Sequence, residues 1–80
     1  MTDLIEAFEV ESLRGCNGKT EYRYVAVMTD GTRLESSRLW SDNEPQRKAF
    51  RDRARRAWQD REYHSLVKLS DGHYRIVSGS

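Results

Sequence analysis

Three stretches in the first half of the chain change between apolar and polar residues at every second position. Phe8 and Val10 alternate with Glu9 and Glu11. Tyr22, Tyr24, Ala26 and Met28 alternate with Arg23, Val25 and Val27, and Thr32, Leu34 and Ser36 carry the alternation on. A period of two puts successive side chains on opposite faces of a strand, so three strands are predicted here. Two further runs, 66–69 (Leu-Val-Lys-Leu) and 74–77 (Tyr-Arg-Ile-Val), have the β-branched and aromatic content of strands. Between the blocks the period lengthens. From 46 to about 61, Phe50, Ala54, Ala57 and Trp58 recur at three- and four-residue spacing, which lines them up on one stripe of a helix. The preceding Ser41, Asp42, Asn43, Glu44 and Pro45 supply a cap, an early acidic residue and a first-turn proline.

Asn17-Gly18, Asp30-Gly31 and Asp71-Gly72 each stand between two predicted strands and suit the positive φ angles of a tight hairpin. Hairpins join antiparallel strands. The expected fold class is therefore α+β, in the order β-β-β-α-β-β, an antiparallel sheet of about five strands with one helix packed on one face. No composition shift, repeat or linker divides the chain, so 1–80 reads as one domain.

Composition narrows the functional classes. Fourteen Lys and Arg against thirteen Asp and Glu leave a net charge of +1, which removes any whole-molecule attraction to nucleic acid or an acidic membrane. The longest nearly apolar stretch is far shorter than the roughly 20 residues that cross a bilayer. The acidic N-terminal residues do not suit a secretion signal. With Cys16 as the single cysteine, the expectation is a cytoplasmic protein with no intrachain disulfide and no membrane association, as a monomer or homodimer.

Local clusters carry the candidate chemistry. Arg47, Lys48, Arg51, Arg53, Arg55, Arg56 and Arg61 surround the apolar stripe of the helix, and Lys48, Arg51 and Arg55 share one side, where they could grip phosphates or an acidic protein surface. A solvated face is the simpler alternative, with Arg56 and Asp60 pairing four residues apart. Glu9 and Glu11, with Glu6, make the first strand acidic, opposite the basic helix. Trp40 either staples the helix start or, if exposed, anchors a protein interface. Tyr22, Tyr24, Tyr63 and Tyr74 are core residues or a stacking platform for single strands. Cys16, His64 and His73 lack the spacing of a metal site or a Cys-His pair, and no cofactor is expected. A sheet with one helix leaves little room for a cavity of several hundred Å³, so the expectation is a non-enzymatic protein.

In its layout of hairpins, one capped helix and a closing strand pair, the chain resembles the small α+β inhibitors that bacteriophages encode, such as anti-CRISPR proteins and inhibitors of host RNA polymerase. The resemblance lies in architecture and implies a stoichiometric binder that docks by a charged surface on a nucleic-acid-handling complex of the host. The binding residues expected on that reading are Lys48, Arg51, Arg55, Arg56, Trp40, Glu9 and Glu11. The alternative is a small nucleic-acid-binding domain that contacts phosphates through its arginine-rich helix.

Overall fold

The computed structural model describes residues 4–15, 18–61, 66–69 and 72–76. Its elements are β1 (Ile5–Arg14), β2 (Thr20–Met28), β3 (Arg33–Glu35), α1 (Glu44–Gln59), β4 (Leu66–Lys68) and β5 (Tyr74–Ile76). The order β-β-β-α-β-β is the one that the hydrophobic periods predict. The five strands form one open sheet in the spatial order β1-β2-β3-β5-β4.

The sheet is mixed and not purely antiparallel. β1 and β2, β2 and β3, and β4 and β5 are antiparallel pairs, whereas β3 and β5 run parallel, with Leu34 opposite Tyr74 and Glu35 opposite Arg75. Turn chemistry dictates the sense only of strands that it joins directly. How the closing hairpin meets the first three strands depends on where the helix delivers the chain. By taking the interior position, β5 gains a neighbour on each side; its Ile76 faces the helix and is buried, while Val67 of β4 faces the uncovered side of the sheet and is exposed.

The three hairpins share one turn geometry. Met28 donates its N–H to the Thr32 carbonyl (2.7 Å) and accepts from Gly31 N–H (2.9 Å). The same pair of bonds brackets Gly15 and Lys19, with Gly18, and Leu69 and His73, with Gly72. Each closing glycine has a positive φ, and no other residue type does among the described residues. Three-residue loops that end in a left-handed glycine match the twist of the strands they join. Asn17 and Asp71 of the predicted turns lie outside the described residues, as do Cys16, Tyr63 and His64.

The core fills the space between α1 and one sheet face. Phe50, Ala54 and Ala57 of the helix pack with Tyr24, Ala26, Met28, Leu34 and Ile76 of the strands, flanked by Phe8, Val10, Leu39 and Trp58. The rings of Phe8, Tyr24 and Phe50 form a triangle with centroids 5.7–6.0 Å apart, a spacing at which tilted aromatic pairs attract. The helix begins as its sequence dictates. Asn43 Oδ1 accepts from Gln46 N–H at 2.9 Å, Pro45 occupies the first turn, and Asp42 receives the Arg47 guanidinium through two hydrogen bonds.

Candidate functional site

Four surfaces contain the charged and aromatic residues singled out above. The first is the flank of α1 beside β1. Lys48, Arg51 and Arg55 come together there as their spacing predicts, but Glu44, Arg47 and Asp52 line the same shallow depression. Arg55 donates to Asp52 Oδ1 at 3.1 Å, and the Arg51 guanidinium lies over the Phe8 ring, 4.5 Å from its centroid. These stems cover the edge of the aromatic triangle, so part of their role is packing. Arg56 is exposed on the opposite flank. Its carbonyl accepts Asp60 N–H, and no ion pair links the two side chains.

The second surface is the sheet face away from the helix. Glu9, Val25, Glu35, Arg75 and Val67 stand in one row across all five strands. Val25 and Glu35 are only 1% and 3% exposed, because charged side chains roof them. Arg23 donates to Glu35 Oε2 at 2.8 Å, Arg33 reaches Glu9 at 3.3 Å and Glu11 at 3.2 Å, and His73 Nδ1 lies 3.8 Å from Glu35. Glu9 and Glu11 thus meet the guanidinium of Arg33 on the surface of their own sheet, which the alternation of one strand could not foretell. The Nε atoms of Arg23 and Arg33 are buried without a partner. That is the cost of laying two guanidinium stems flat over the sheet.

The third surface centres on Trp40. After β3 the chain inserts one extra residue against β2. Val25 faces Glu35, but Tyr22 faces Leu39 in an isolated antiparallel bridge closed by bonds of 2.7 and 2.8 Å. Ser36 stabilises this bulge by accepting Tyr24 N–H on its hydroxyl at 2.9 Å. Leu39 then turns inward, and Trp40 turns outward and is 64% exposed, so it does not staple the helix. The Tyr24 hydroxyl braces the helix start instead, within 3.3–3.4 Å of the Asn43 carbonyl and N–H. Lys19 Nζ stands 5.9 Å over the Trp40 ring, and Arg38 reaches Glu21 at 3.9 Å.

The fourth surface is a groove of about 560 Å³ beyond the carboxyl ends of the parallel strands β3 and β5, beside α1. Tyr24, Leu39, Ala49, Phe50 and Ile76 give it apolar walls, and Ser36, Ser37, Gln46, Arg53 and Arg75 line the rest. It is larger than a sheet with one helix led us to expect. Ser36 and Ser37 follow β3, Ile76 belongs to its parallel neighbour β5, and no local pattern links these residues with Gln46, Ala49, Phe50 and Arg53 of the helix.

Titration follows the same geometry. Burial pushes the Tyr24 phenol above its ordinary value of 10.0. The Arg47 hydrogen bonds hold the Asp42 carboxyl below its ordinary 3.8, and the N–H and hydroxyl of Thr32 lower Asp30 in the same way. Among the described tyrosines Tyr24 is buried and Tyr22 and Tyr74 are half-buried, so the sheet presents no exposed tyrosine platform. Among the described residues no cluster of His, Cys, Asp and Glu could hold a metal ion, and no helix is long and apolar enough to cross a membrane.

These elements define a small α+β protein, one amphipathic helix on a mixed, open five-stranded sheet. No protein-family model matches the chain, nor does any curated protein or solved structure.

Proposed function

We propose that the protein is a non-enzymatic binding module that docks on an acidic protein surface, with Trp40 as its anchor. One observation carries this reading. Trp40 is the more exposed of the two large apolar side chains left open among the described residues, and Lys19 Nζ stands 5.9 Å over its ring. Leaving an indole in water forgoes the stabilisation of burying it, and tryptophan and arginine are enriched where binding energy concentrates. A cation over the exposed indole suits a partner that is acidic around an apolar pocket. Inhibition of a nucleic-acid-handling complex is the setting that the resemblance to phage inhibitors implies for such a module.

The test is capture from nuclease-treated bacterial lysate with tagged wild type and Trp40→Ala. A protein retained in stoichiometric amount by the wild type, and lost from a variant whose melting temperature is unchanged, supports the reading. Equal capture by both rejects Trp40 as the anchor.

A second reading draws on the helix flank, where Arg47, Lys48, Arg51 and Arg55 outnumber Glu44 and Asp52. On it the flank contacts nucleic-acid phosphates. Affinity would then fall by about 0.9 log unit per phosphate contact for each tenfold rise in salt, and Lys48→Ala and Arg51→Ala would each flatten that slope. Duplex binding that persists unchanged at high salt would rule the flank out as a phosphate site.

A further inference from the structure

β1 is an edge strand of ten residues, paired with β2 on one side only. The ladders fix which of its backbone groups are spent. Tyr22, Tyr24 and Met28 turn theirs to the β3 side of β2, where they bond Leu39, Ser36 and Thr32. Because bonding alternates along a strand, the intervening Arg23, Val25 and Val27 turn theirs toward β1, opposite Glu11, Glu9 and Ala7. The N–H and C=O groups of Phe8, Val10 and Ser12 therefore point out of the sheet edge, and no described residue takes them. β4 and β5, which border the undescribed residues 62–65, 70–71 and 77–80, lie at the other end of the sheet. Long edges are commonly blunted by proline, lysine or bulges. Residues 7–14 contain no proline, glycine or lysine, and the ladder is irregular only between Ile5 and Ala7.

Charge selects the occupant of this edge. On the face away from the helix, Glu9 and Glu11 share the guanidinium of Arg33; Arg23, 4.0 Å from Glu11, is held at 2.8 Å by Glu35. That leaves one negative charge in excess on two carboxylates that are 52% and 39% exposed. On the helix face, Phe8 and Val10 are half-buried, and Arg51 and Arg55 stand beside Phe8. We propose that the edge of β1 binds an extended basic segment of a partner protein, which joins the sheet as a further strand. Its side chains alternate between faces, with lysine or arginine against Glu9 and Glu11 and apolar residues against Phe8 and Val10. A segment in the opposite phase would bring its cations to Arg51 and Arg55, so charge also sets the register. The same charges disfavour a second copy of the chain. Two-fold antiparallel pairing centred on Glu9, Val10 or Glu11 sets a glutamate of one copy opposite a glutamate of the other. This edge does not involve Trp40, and the inference stands apart from the role proposed for that residue.

The experiment follows amide hydrogen exchange of the ¹⁵N-labelled chain with and without the capped peptide Thr-Val-Lys-Val-Lys-Val-Thr at millimolar concentration. A peptide with Glu in place of both Lys is the comparator. The amides of Phe8, Val10 and Ser12 should exchange readily in the free chain and become protected when the basic peptide binds. The acidic peptide should bind at least about tenfold more weakly, and Glu9→Gln/Glu11→Gln should lose about tenfold in affinity for the basic one. Ser12→Pro removes an outward N–H and no ladder bond, so it should weaken binding with the melting temperature little changed. If that variant fails to fold, the glutamine variant decides. No gain of protection at the three amides, equal binding of the acidic peptide, or full affinity in Glu9→Gln/Glu11→Gln would overturn the proposal. So would a chain that sediments as a dimer with these amides already protected, since a second copy would then occupy the edge.

Discussion

Arg23 and Glu35 show how much one residue's effect depends on its partner. Glu35 is buried on a face that no helix covers, and its carboxylate is stabilised by the Arg23 guanidinium at 2.8 Å. Removing the cation leaves an acid in a poor solvent, whereas removing both charges leaves two apolar stems on an already roofed Val25. Arg23→Met should cost about 3 kcal/mol in urea unfolding, and Arg23→Met/Glu35→Leu distinctly less. A double variant as unstable as the single one would mean that the pair is not what holds Val25 dry. The Arg33 contacts to Glu9 and Glu11 are more exposed and should contribute less than about 1 kcal/mol. At Asp42 the linkage has a definite sign. Its folded pKa lies below 3.8, so the stability it contributes is present above that value and is lost as pH falls through the lower folded one. Melting temperature should therefore drop in acid, and Asp42→Asn should flatten part of that drop.

Helix α1 and the hairpins are the elements whose ends the chain specifies most directly. Asn43 caps Gln46 N–H, so Asn43→Ala should lower stability by about 1 kcal/mol, while Asn43→Asp should be nearly neutral. Gly31 closes the β2–β3 turn at φ 91°, where any side chain is strained, and Gly31→Ala should cost about 1–2 kcal/mol. A thermal melt that left both substitutions silent would show that packing alone places these elements. The predicted stripe of Phe50, Ala54, Ala57 and Trp58 faces the sheet as expected, and the helix runs Glu44–Gln59 where the period suggested 46 to about 61. Its cation flank was legible as a cluster. That its members would also meet Asp52 and the Phe8 ring was not, because the partners lie around a helical turn and on another element.

At the scale of the molecule, a chain of 80 residues builds one core, and its total stability is on the order of 4–12 kcal/mol. Phe50 stands in that core against both Phe8 and Tyr24. Phe50→Ala should cost about 3–5 kcal/mol and remove most of the near-ultraviolet circular dichroism by body temperature. A variant that kept a sharp melting transition would show that the sheet carries more of the stability than this packing implies. Small size also explains the roofed second face. With a single helix available, the chain shields the other side of its sheet with Arg23, Arg33, Glu9 and Glu11 and not with a second layer.

What the sequence by itself determined is everything that depends on neighbours a few positions away. Alternation at Phe8–Glu11 and Tyr22–Met28, glycines at the turn ends, the Asn43 cap and the apolar stripe of α1 follow from backbone geometry and local hydrogen bonding, which act before any tertiary contact exists. The tertiary structure alone decided the parallel pairing of β3 with β5, the pairing of Glu9 and Glu11 with Arg33, and the exposure of Trp40. These features depend on which residues distant in the chain arrive within a few ångströms of one another, and no periodicity in a single strand or helix contains that information.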